Sequence, residues 1–182
     1  MARPVTRDLA HRFAAAARRR RAGSTAVEFA LVALPFALMM FSIAEIAFVF
    51  VLDSTLENAI IETGRLVRTG QASAQNMTAD TFRTSICTRM STFATGCSGK
   101  LTIDVRVIPQ FTNPNPPDPL GGGSFSTTNL TYTNGAPGDL VLVRAWYKHT
   151  LFTPFLQQGL SRLNDGNAYL TATTAFRNEP WA

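Results

Sequence analysis

Two cysteines and two histidines are all that 182 residues offer for thiolate or imidazole chemistry. Cys87 and Cys97 cannot build a zinc site alone, and their C-x9-C spacing is not the C-x-x-C of a redox pair. His11 and His149 are remote in sequence, and no Gly-x-Ser-x-Gly elbow presents a nucleophile. Gly121 to Gly123 lack the Lys and Ser/Thr that would make them a phosphate loop. No catalytic residue, metal or cofactor is therefore expected, and the chain is not read as an enzyme.

Acidic residues are also scarce where basic ones are dense. Residues 1–22 hold seven arginines against the single Asp8, whereas the remainder holds ten basic and eleven acidic side chains. The basic pI of about 9.9 belongs to this leader and not to the body. An arginine run can bind nucleic acid, face an anionic membrane or set topology. The run Arg18 to Arg21 has no interleaved aromatics and adjoins an apolar stretch, so nucleic acid is not expected as a partner.

Charge is nearly missing from that apolar stretch. Phe29 to Leu52 contains one charged residue, Glu45, and one helix breaker, Pro35. As a helix it is about 36 Å long, enough to cross a hydrocarbon core of about 30 Å. Arginines on one flank only predict a cytoplasmic N-terminus and an exported C-terminal part. An exported Cys87–Cys97 pair is expected to form a disulfide.

The pattern predicts three regions: a basic leader (1–23), a long helix with an amphipathic extension (24–72), and an exported α+β domain (73–182). In the extension, Leu52, Leu56, Ala59, Ile60, Thr63, Leu66 and Val67 keep a helical spacing, Glu62 and Arg65 form an i,i+3 pair, and Gly70 gives a stop. A second helix over about 77–94 places Phe82, Ile86, Met90 and Phe93 on one face. Three strands are predicted from the segments beginning at Lys100, Asp139 and Asn167, giving a small antiparallel sheet with the second helix packed on it. Between the first two, residues 111–138 are rich in Pro, Gly, Asn and Thr and are expected to be an exposed, flexible loop. Leu151 to Leu163 reads as a Pro-started short helix or apolar loop.

The junction of leader and apolar run carries the most specific signal: Ala22-Gly23-Ser24-Thr25-Ala26-Val27-Glu28-Phe29. A secretory signal would place its cleavage site after the apolar region, whereas here the Gly precedes it. This arrangement resembles the prepilin pattern of glycine, four residues, glutamate and an aromatic. The resemblance implies cleavage after Gly23 by a prepilin peptidase, which would make Ser24 the first mature residue. Glu28 then lies about one turn from the new α-amino cation and can balance it, within one subunit or between neighbours.

More widely, Gly23 to Gln71 resembles the TadE-like segment of tight-adherence (Flp) pilus assembly proteins. The shared landmarks are Glu28, Pro35, Glu45, Asn58-Ala59 and Arg65, and the ending TATTAFRNEPW is similar as well. The resemblance implies a minor pilin or pseudopilin with other pilins and inner-membrane assembly proteins as partners. It implies an inner-membrane, single-pass protein with a periplasmic domain, or one that enters the pilus. Processing is then expected at Gly23, Ser24, Glu28 and Phe29, and assembly contacts within the bilayer at Glu28, Pro35 and Glu45, with Glu45 either bonding to a partner helix or sitting at the interface. The alternative is an uncleaved, signal-anchored envelope protein whose periplasmic domain binds a ligand. A secreted enzyme released near Ser42-Ile43-Ala44 would need an unusually long leader.

Overall fold

A computed structural model describes residues 5–90, 92–112 and 114–181, with side chains described from Gly23 onward. The chain forms two units, Met1–Ile43 and Ala44–Ala182. Helix α1 is assigned over Val5–Arg68 and runs through Pro35 without interruption. In the first unit its apolar side chains face outward, with Phe29 at 73% and Leu31 at 71% exposure.

The second unit is α+β. From Leu52 onward α1 becomes a core element: Leu52, Leu56, Ala59, Ile60, Thr63 and Val67 are buried, and Leu66 of the expected stripe is half-buried against them. Glu62, exposed at the edge of that face, pairs with Arg89 at 3.9 Å, so its ionic partner lies on another element and not at Arg65. The chain turns at Gly70 into the short helix α2, Gln71–Ala74. Helix α3, Ala79–Met90, begins at Thr78, whose hydroxyl accepts from the Thr81 N–H at 3.3 Å while Thr81 Oγ1 accepts from the Thr78 N–H at 2.8 Å. Such reciprocal capping satisfies two amides that the first turn leaves unpaired. Phe82, Ile86 and Met90 are buried against the sheet side, but Phe93 is 44% exposed because the helix ends before it. Cys87 on α3 is bonded to Cys97 in a single 3-10 turn, Cys97–Gly99, with Cα atoms 5.6 Å apart.

Three antiparallel strands come next, in the order β1-β2-β3: β1 Leu101–Ile108, β2 Leu140–Thr150 and β3 Asn167–Arg177. The register pairs Val105 with Val143 and Val143 with Thr174, so Ile103, Val105, Val141, Val143, Ala145, Leu170 and Ala172 share the face that packs with α1 and α3. Helix α4, Pro154–Leu160, lies in the β2–β3 connection with Pro at its start.

The long β1–β2 connection is tied back to the sheet. The Val105 N–H donates to the Thr131 carbonyl and the Thr133 N–H to the Val105 carbonyl, both at 2.9 Å, forming a parallel bridge at Tyr132. Phe125 stacks on Tyr169 at 5.0 Å and meets the edge of Trp146 at 6.2 Å. The segment expected to be exposed thus lays several residues against the sheet face opposite the helices.

The tail also closes on earlier elements. Asn178 is buried and its side-chain amide donates to the carbonyls of Asn134 and Ala136. The Glu179 N–H donates to the Arg68 carbonyl at 2.9 Å, and their side chains pair at 3.2 Å. Gly70 has φ +76°, and a Cβ there would meet the Trp181 ring at 2.5 Å. A bare backbone lets the indole lie against the end of α1.

Candidate functional site

Gly23, Ser24, Glu28 and Phe29 lie on one exposed stretch of α1. The Ser24 hydroxyl donates to Glu28 Oε1 at 3.3 Å across one turn, so the two residues face the same side. A Cβ at Gly23 would meet nothing within 4 Å. Neither packing nor a left-handed φ demands glycine at this position. In a helix glycine costs about 1 kcal/mol relative to alanine, which makes this the weakest point of the local turn.

The apolar run around and beyond these residues has the surface of a lipid-facing helix. Val32, Leu34, Phe36, Met39, Met40, Phe41 and Ile43 are each more than half exposed. Gly23–Arg68 is long and apolar enough to cross a membrane. Pro35 supplies no N–H, so the Leu31 carbonyl lacks its usual helical donor there.

Glu45 has a different setting. It is buried, and its carboxylate accepts from two backbone amides of its own chain: Phe152 N–H at 2.5 Å on Oε1 and Thr153 N–H at 2.9 Å on Oε2. These are charge-assisted bonds to amides just ahead of α4. Beside them the His149 ring lies 5.7 Å from Phe48 and 6.4 Å from Phe152. Burial lowers the His149 pKa, against the opposite pull of the Glu45 carboxylate. The two acceptors are therefore satisfied within the domain, by donors more than a hundred residues away. Neither local sequence pattern pairs Glu45 with these amides.

A second polar centre, invisible to strand alternation, sits on the sheet face away from the helices. Asp104 is fully buried and lies opposite Arg144 in the β1–β2 register. Arg144 donates to Asp104 Oδ2 through Nη2 at 2.7 Å and Nε at 3.1 Å, while Arg106 Nη2 reaches Oδ1 at 2.6 Å. The Thr131 N–H adds a bond at 2.9 Å. Burial raises the Asp104 pKa, but the bonds from Arg106, Thr131 and Arg144 together hold it below the ordinary value. The arginines also grip the long connection, Arg144 through the Pro117 carbonyl and Arg106 through that of Asn129. This cluster secures the loop to the sheet.

Next to it runs an open groove of about 590 Å³ whose lining includes Asp53, Asp118, Arg144, Trp146, Arg162 and Tyr169.

No curated protein and no solved structure matches the chain. Residues 23–65 match the family model described as TadE-like protein. That interval starts at Gly23 and takes in Glu28, Pro35 and Glu45. The stretch of α1 that resembles a TadE-like protein thus includes the exposed apolar residues and most of those that enter the core.

Proposed function

We propose that this chain is a minor-pilin or pseudopilin-like subunit in the assembly of a tight-adherence (Flp) pilus. A prepilin peptidase removes the basic leader after Gly23, and the apolar helix holds the subunit in the inner membrane with its leader cytoplasmic and its α+β domain periplasmic. Other pilins and inner-membrane assembly proteins are its partners. The observation that carries this reading is Gly23 itself. It begins the TadE-like segment, yet the fold makes no use of its being glycine. A peptidase that needs a small, easily unwound residue on the leader side of the cut supplies the missing reason.

The intact mass of membrane-extracted protein tests it. Under this reading the chain begins at Ser24, and Gly23→Leu leaves a precursor that retains its arginines. A mass beginning at Met1 or Ala2 in wild type overturns it. That result would favour the second reading, an uncleaved anchored protein whose domain binds a ligand, for which the groove with Arg144, Arg162 and Tyr169 is the supporting observation.

A further inference from the structure

The connection between β2 and β3 carries the two most exposed large apolar side chains among the described residues, Phe152 at 82% and Phe155 at 76%. They lie in the stretch Leu151-Phe152-Thr153-Pro154-Phe155-Leu156-Gln157-Gln158-Gly159-Leu160, which has no charged residue. Single exposed apolar residues are ordinary on protein surfaces, but adjoining ones that continue a larger apolar surface mark a contact.

Here the larger surface is the apolar run of α1. At one end of the connection Glu45 binds the amides of Phe152 and Thr153, and His149 lies between Phe48 and Phe152. At the other end Leu160, 40% exposed, lines the same groove as Ile46 and Phe50, which are 48% and 72% exposed. The connection therefore flanks residues 45–50 of the helix at both ends. Glu45 is seven residues before Leu52, so it lies about 10 Å short of the end of the apolar run. Interfacial elements settle about 5–10 Å into the boundary between headgroups and acyl chains, which is the same depth. The nearest charged residues in sequence on either side, Lys148 and Arg162, are both cations; Lys148 is paired with Asp165 at 3.2 Å, and the long stem of Arg162 lets its charge reach lipid phosphates.

We propose that residues 151–160 form a second membrane-contacting element, with Phe152 and Phe155 seated among the acyl chains of the leaflet through which α1 leaves the bilayer. Glu45 fixes the element at that depth by holding its two leading amides. This inference rests on the reading of residues 29–52 as a membrane span. A lipid occupant is favoured over a protein one because the exposed phenylalanines continue a surface that is itself lipid-facing.

The test uses the full chain in vesicles of phosphatidylcholine and phosphatidylglycerol, carrying one nitroxide label at Phe155→Cys, Phe36→Cys or Phe111→Cys. Cys87 and Cys97 are bonded to each other and leave the new thiol as the labelling site. Phe111 follows β1 at the end of the sheet remote from the β2–α4 connection and is 53% exposed. At Phe155 and Phe36, collisions with oxygen should exceed those with a water-soluble nickel chelate several-fold, and Phe111 should show the reverse. An aqueous Phe155 beside a lipidic Phe36 overturns the inference and leaves the anchor standing. Aqueous values at both positions overturn the anchor as well. Spin–spin broadening at Phe155 in dilute protein would mean that a second copy covers the patch, which also overturns it. Adding Glu45→Leu should shift Phe155 toward water while Phe36 stays lipidic. An unchanged Phe155 would remove the role given to Glu45.

Discussion

At the scale of single residues, the strongest dependence falls on Asp104. Its carboxylate is the common acceptor for two arginines, and Arg144 is itself buried. Asp104→Ala leaves that guanidinium desolvated without its counter-charge, a situation that costs about 3–5 kcal/mol. Urea unfolding in detergent should show a loss of that size, with a smaller one for Arg106→Ala, which leaves Asp104 its two bonds from Arg144. Acid should act on the same cluster and on Asp165. Burial raises the Asp165 pKa, but bonds with Asn167, Tyr169 and Lys148 bring it down to about 2 from an ordinary 3.8. A carboxyl with a depressed folded pKa stabilises the fold fully above its unfolded value and loses that contribution as protons bind. Stability should thus hold above pH 4 and decline toward pH 2, and Asp165→Asn should flatten part of that slope in an acid titration followed by circular dichroism. Strand alternation marks Asp104 only as a polar position, because it shows which residues share a face. It cannot show that a Pro- and Gly-rich connection will cover the polar face too.

Among elements, α1, β1 and β3 were legible because each has a sustained period, 3.6 in residues 52–67 and two in the two outer strands, whereas the central β2 is buried on both faces and shows as an apolar run instead. The partners that cross between elements were not. Glu45 and its donors are 107 and 108 positions apart, and nothing in either local pattern names the other. Glu62 likewise met Arg89 and not its helical neighbour Arg65. The disulfide joins α3 to the turn before β1, closing a short loop whose loss costs about 2–3 kcal/mol. Reduction under native conditions should lower the urea midpoint accordingly. Gly70 is the joint where α1 stops. An alanine there must adopt φ +76° and press on the Trp181 ring, so Gly70→Ala should cost about 2–4 kcal/mol by thermal unfolding. Trp181→Ala should relieve most of the added contact in the double variant.

For the whole molecule, maturation and assembly separate cleanly in the variants at the leader junction. Glu28→Ala should be cut to the Ser24 product yet fail to support piliation, as seen by mass spectrometry and pilus counts on the same cells. Normal piliation by that variant would contradict the charge-balance role given to Glu28. The junction stands out in the sequence because residue type and order there resemble a cleavage pattern, and folding places no constraint on Gly23. The other end of the chain has the opposite character. Asn178 holds the β1–β2 connection, Glu179 holds the last carbonyl of α1, and Trp181 fills the space beside Gly70. Each of these partners is synthesised well before the residue that completes it. The ribosome therefore delivers the long apolar helix first and the keystone late, and the α+β unit remains unfinished until residues 178–181 join it.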